Sequence, residues 1–288
     1  MPDFDAFVER AWTDHADDPA GVAARLEGSL GLVVDAARVV PYARLAVHVF
    51  GEHLGEWERG TRLLARLSER ARVDDAARAV ARGIATLGYA GGDASALDGL
   101  GVDDRIAALA TASSAFAARS EVDRALDAYE QALDIAAPGL VDGSPALRAL
   151  AVGGNNLAAA LEERDDRTAR QVRGMVAAAR AALAYWKRAG GWIEEERAEY
   201  RLSCGLLTAG EAHEAADRAR RCLAICDRHG APAFERFYGT LALARADRAL
   251  GDGASFVRLR DRARALHASM PDDEREACVA DLAALDPR

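Results

Sequence analysis

Apolar residues recur at three- and four-residue spacing along most of the chain, whereas stretches alternating apolar and polar with period two are almost absent. The first pattern gathers apolar side chains on one stripe of an α-helix; the second would mark strands. Alanine, leucine and arginine fill much of the rest, and these residues lose little entropy on entering a helix. The pattern predicts an all-α chain. Turns punctuate it at Gly55, Ser120, Arg164, Gly210 and Gly251, separated by 65, 44, 46 and 41 residues. The first interval has room for a degenerate unit across 73–100 that turns at Gly91-Gly92-Asp93, and a long helix over 168–189 accounts for the wide spacing further on.

The clearest unit lies between 105 and 136. Leu109, Ala112, Ser113 and Phe116 share one helix, Ser120 falls in a turn, and Ala125, Tyr129 and Ala132 lie on the next helix. Small residues at fixed offsets let two helices approach, and larger ones fill the space between. This window resembles a tetratricopeptide repeat (TPR), a helix-turn-helix unit of about 34 residues. Leu109 stands in place of the usual tryptophan and Ser120 in place of the turn glycine. Other windows keep the phase: Gly60 follows Gly55, and Ala215 follows Gly210, each a small residue five positions past a turn. The run Gly154-Asn155-Asn156-Leu157-Ala158 resembles the first helices of kinesin-light-chain-like repeats.

The resemblance implies a right-handed α-solenoid of antiparallel helix pairs, a TPR-like superhelix forming one domain over 1–288. Its expected parts are N-terminal capping helices at 1–35, irregular repeats over 36–268 and a C-terminal capping helix at 269–288. Pro19 after Asp18 suits a helix start. Pro271-Asp272-Asp273 suits the start of a last helix running to Leu285, its acids opposing the positive end of the helix dipole. Met1 and that capping helix lead us to expect a whole protein. The expected core includes Trp57, Leu64, Phe116, Tyr129, Leu157 and Leu202.

Charge and chemistry narrow the function classes. The formal net charge is -9, which disfavours a nucleic-acid partner. The start has neither a basic n-region nor an apolar segment, and no stretch approaches about 18 uncharged apolar residues. We therefore expect no membrane partner and a cytoplasmic location. The four cysteines, at 204, 222, 226 and 278, lack the spacing of a disulfide scaffold or a zinc site and read as buried thiols. His48 and His53, five apart, would stand about 140° apart around an α-helix and are not expected to share a metal. His15, His213, His229 and His267 read as surface or capping groups, and the acidic runs, including Glu194-Glu195-Glu196, as solvated faces. No phosphate loop, dinucleotide fingerprint or nucleophile elbow is present. The sequence thus assigns no catalytic residue, metal ligand or cofactor.

In a TPR-like array the first helices line a concave groove. Carried over by phase, the groove positions fall on Glu52, His53, Asn155, Asn156, Glu162, Arg201 and Arg245. Asn156 can donate to one peptide group and accept from another, or can tie neighbouring helices together. Arg201 can hold a carboxylate bidentately, or can pair with an acid across the groove. The lysine-and-asparagine clamp of chaperone-binding relatives is not reproduced, because the chain's one lysine, Lys187, lies in a second helix. The resemblance implies a non-catalytic adaptor or sensor that holds a peptide or protein segment, and two groove arginines in an otherwise acidic chain lead us to expect an acidic group beside Arg201. Two other readings stay open: a self-associating homodimer that covers Trp186 and Trp192, and an enzyme with a small-molecule pocket lined by Glu52, His53, Asn156 and Arg201.

Overall fold

The computed structural model describes residues 3–71 and 73–286. Among these every regular element is helical, and the chain falls into two compact units, Met1–Ala160 and Leu161–Arg288. The first contains α1 (Phe4–Asp14), α2 (Pro19–Gly28), α3 (Ala36–Val47), α4 (Trp57–Ser68), α5 (Asp74–Ala90), α6 (Val102–Ala118) and α7 (Val122–Ala136). Helix α8 (Pro145–Glu162) ends at the boundary. The second unit contains α9 (Ala169–Ala189), α10 (Trp192–Thr208), α11 (Ala212–His229), α12 (Ala233–Ala249), α13 (Gly253–Ala268), α14 (Asp272–Ala277) and α15 (Val279–Ala283). No helix among the described residues is long and apolar enough to cross a membrane.

Two helix pairs repeat the same turn and the same hydrogen bonds. Between α6 and α7 the chain reverses at Ser120 (φ 61°), and between α10 and α11 at Gly210 (φ 81°). In the first turn Glu121 N–H donates to the Phe116 carbonyl at 2.9 Å; in the second Glu211 N–H donates to Leu206, also at 2.9 Å. The Ser113 hydroxyl donates to the Ala125 carbonyl at 2.8 Å, and the Ser203 hydroxyl to Ala215 at 2.8 Å. Those two serines tie each first helix to the second. Ser120 does the work of a turn glycine although a side chain in the left-handed region costs about 1–2 kcal/mol. Gly251 (φ 80°) makes a third such turn, with Asp252 N–H on the Asp247 carbonyl at 2.9 Å.

The core follows the expected phase. Leu64, Phe116, Tyr129, Leu157 and Leu202 are buried, and the Tyr129 hydroxyl donates to the Leu150 carbonyl at 2.8 Å. Trp57 is half-buried, with its ring edge-on to Phe116 at 5.9 Å. Asp18 caps α2 by accepting from Gly21 N–H at 2.9 Å, with Pro19 in the first turn. Thr168 and Gln171 form a capping box at the start of α9, as the long helix over 168–189 required.

The reversal expected near Arg164 is present, without a left-handed residue; Arg167 donates to the Leu161 and Glu162 carbonyls at 2.9 and 2.8 Å, closing the end of α8. Three expectations are corrected. The degenerate unit has its first helix, α5, and turns at Gly92 (φ 104°), but a single 3-10 turn at Ala94–Leu97 replaces the second helix. The last helix is broken into α14 and α15 at Cys278. The third concerns His48 and His53. Residues His48–Leu54 form a π-helical turn at the end of α3, where hydrogen bonds run from i to i+5 and residues five apart return to one face. Glu56 N–H accordingly reaches back six residues, to Phe50 at 2.9 Å, where the other turns reach back five. The α-helical 140° argument fails there, and the two imidazoles meet.

Candidate functional site

Of the residues assigned to the groove, the second unit holds Glu162, Arg201 and Arg245, on α8, α10 and α12. The Arg201 guanidinium pairs directly with the Glu162 carboxylate, and both side chains are about three-quarters buried. Arg245 pairs with Asp281 of α15 at 3.0 Å. Arg197 of α10 pairs with the buried Glu235 of α12. Opposite charges thus link Glu162 to α10, α10 to α12, and α12 to α15. Tyr200 and Cys204 share this neighbourhood. Burial, with the Glu162 charge, pushes the Cys204 thiol up to about 12, so it is an inert thiol at neutral pH. Burial also pushes the Tyr200 hydroxyl far above its ordinary range. The Arg201 Nε–H is buried and has no acceptor.

The first unit holds the other four. Asn155 is half-buried on α8, and Asn156 is exposed there with its amide donating to the Ser114 hydroxyl of α6 at 3.3 Å. That bond ties α8 to α6, the spacer role weighed for this residue. Glu52 accepts from His48 Nδ1 at 3.1 Å. His53 lies against His48 and His15, and burial with those two neighbours pulls its imidazole below the usual range. His15, expected as a surface or capping group, is the C-cap of α1, with its ring on the Trp12 carbonyl; it is half-buried and also joins the cluster.

Glu196 is a buried group that sequence reasoning misplaced. Glu196 was expected on a solvated acidic face, yet it is 1% exposed. Successive residues of a helix point about 100° apart, so a run of three acids at the start of α10 cannot stay on one solvated side. Glu196 falls on the stripe of Glu199, Leu202 and Ser203, all buried. Cys222 and Cys226 are buried free thiols, as expected, and the Cys222 thiol donates to Glu196 Oε1 at 2.8 Å. Glu196 Oε2 has no hydrogen-bond partner. Burial and the neighbouring Glu235 push its carboxyl up to about 7. Trp186, offered for a dimer interface, is buried, and Trp192 stacks on His229 with centroids 5.1 Å apart.

No family model matches the chain, and no curated protein matches it in sequence. Solved structures do resemble it. BtubC (BKLC) from P. vanneervenii is 19% identical, over 85% of this chain and 92% of that one, with a TM-score of 0.52. The fold is a TPR-like helical repeat. A Signal Transduction ATPase with Numerous Domains (STAND) from Pyrococcus horikoshii, which carries a tetratricopeptide repeat sensor, is 12% identical with a TM-score of 0.51. The match takes in 93% of this chain but only 43% of that protein. Kinesin-light-chain TPR-like repeats from Podosopora anserina are 20% identical over 75% of this chain and 97% of theirs, with a TM-score of 0.49. At these identities the likeness concerns the fold alone.

Proposed function

We propose that the chain is a non-catalytic adaptor or sensor that holds an extended protein or peptide segment along the first helices of its second unit. The carrying observation is the buried Arg201 Nε–H without an acceptor. Among the described residues three other arginines share that feature, but Arg201 is the one on a predicted groove position. A buried unmet donor costs about 1–3 kcal/mol, which an arriving acceptor recovers. The charges of Arg201 and Arg245 are already met by Glu162 and Asp281. The group that suits Arg201 is therefore a neutral carbonyl, as along a peptide backbone, and an acidic group would have to displace Glu162.

The test starts from peptides selected on the full chain from a random library, with affinities measured by calorimetry. Arg201→Lys keeps the charge beside Glu162 and removes the Nε donor. It should weaken binding by roughly tenfold or more while leaving the melting temperature within a degree or two. Peptides that bind the Arg201→Lys variant as tightly as the parent would overturn the placement.

A further inference from the structure

The cluster of His15, His48 and His53 lies in the first unit and shares no residue with the Arg201–Glu162 pair. The three imidazole centroids stand 4.8–4.9 Å apart pairwise. One nitrogen from each ring falls in a set whose members all lie within 4.8 Å of one another. All three side chains are half-buried, so they are fixed by their surroundings yet open to an ion from solvent.

The hydrogen bonds around the rings decide which nitrogens are free. Glu52 Oε1 lies 3.1 Å from His48 Nδ1, and a carboxylate only accepts, so Nδ1 carries the hydrogen. The Trp12 carbonyl lies 2.6 Å from His15 Nδ1, and it too only accepts. In the neutral rings Nε2 of both residues is then a bare lone pair. His53 Nε2 stands 3.2 Å from His48 Nε2. With His48 Nε2 a bare acceptor, what lies between the two nitrogens is either the His53 Nε2 hydrogen, donated to His48, or a cation that takes its place.

We propose that His15, His48 and His53 form a three-imidazole site for a divalent transition-metal ion of the zinc class. Metal–nitrogen bonds of about 2.0–2.1 Å in a tetrahedron put ligand nitrogens about 3.3–3.4 Å apart. The His48–His53 Nε2 separation of 3.2 Å is close to that value, and one nitrogen of each ring lies within 4.8 Å of the other two. Carboxylate and carbonyl partners on the outer nitrogens are what metal-bound histidines commonly have, since they fix the tautomer and raise ligand basicity. The donor set is nitrogen alone, which suits zinc, copper or nickel and not the oxygen-seeking calcium or magnesium. Solvent completes the fourth position. The Trp12 indole walls one side, 5.2 Å from His15 and 5.0 Å from His48 by centroids. The π turn supplies the spacing, for without its extra residue His48 and His53 would diverge.

The experiment uses the purified full chain, stripped with chelator and titrated with Zn2+ by calorimetry and with Co2+ and Cu2+ by spectroscopy. We expect one Zn2+ per chain at micromolar concentration. The Co2+ complex should show tetrahedral d–d absorption without a thiolate charge-transfer band. Bound Cu2+ should quench Trp12 emission, a response that Trp12→Phe removes while the stoichiometry stays at one. His48→Ala and His53→Ala should each weaken Zn2+ by roughly 100-fold or more, and Glu52→Gln by about 10–100-fold, with helical circular dichroism unchanged. The Co2+ and Cu2+ readings are made on chains that keep all three histidines, so a histidine variant that fails to fold leaves the test intact. No saturable Zn2+ binding at micromolar concentration, or a thiolate band showing that cysteines hold the ion, would overturn the assignment.

Discussion

The sharpest stability test is Glu196→Gln. Glu196 is 1% exposed and accepts one hydrogen bond, from the Cys222 thiol at 2.8 Å. Burial, with Glu235 beside it, raises its carboxyl from 4.5 to about 7. Between those pH values the folded chain keeps a proton that the unfolded chain has lost, so stability falls as pH rises through this window. It is present in full below 4.5 and lost above about 7. At about 1.4 kcal/mol per pH unit the interval is worth about 3 kcal/mol. Glutamine has the same shape and never ionises. Urea unfolding followed by circular dichroism should therefore find the variant more stable than the parent by up to about 3 kcal/mol at pH 8, and within about 1 kcal/mol of it at pH 4. Titrating groups remote from Glu196 are common to the two chains and cancel in the difference. A difference that does not change with pH, or a variant that loses stability at pH 8, would refute the argument that ionised Glu196 is disfavoured by its surroundings.

Four further outcomes follow from the packing. Ser113→Ala and Ser203→Ala remove equivalent bonds from equivalent helix pairs; each should cost about 1 kcal/mol in urea unfolding, and a large inequality would break the repeat equivalence. At Gly60 an added methyl would stand 2.7 Å from both Leu87 Cδ1 and Phe50 Cβ, so Gly60→Ala should destabilise by about 1–3 kcal/mol by the same measurement. Tyr129 is 2% exposed and bonded to the Leu150 carbonyl; Tyr129→Ala should cost about 3–5 kcal/mol and Tyr129→Phe about 1 kcal/mol. Glu214 has the opposite sign to Glu196: hydrogen bonds from Arg180 lower its carboxyl to about 2, so its contribution is present above 4.5 and lost as pH falls toward 2. Glu214→Gln should flatten that acid limb of the melting temperature, and an unchanged limb would count against the pair.

How far the sequence carried depended on whether a residue's role was set by α-helical period. Ser120 and Gly210 were legible as turns because Phe116 and Leu206 stand four residues before them, and their hydrogen bonds repeat accordingly. The serines of the same phase, 113 and 203, carried the small-residue signal that the structure shows as a hydroxyl bond across the pair. Glu196 was misread because three adjacent acids were treated as one surface, although the period of the helix sends them in different directions. Phase alone was also silent on partners: it placed Glu162 and Arg201 in neighbouring first helices but not that each would neutralise the other. The histidine cluster failed for a different reason. Rotation per residue was taken as that of an α-helix throughout, and between 48 and 54 it is not. A signal was present. Phe50 stands five residues before its turn glycine, where Phe116 and Leu206 stand four before theirs. One surplus residue in a helix whose ends are fixed by packing must be absorbed as a wider turn, and a wider turn is the one place where residues five apart share a face. The same insertion that breaks the repeat's register is thus what brings His48 and His53 together, with His15 reaching them from α1.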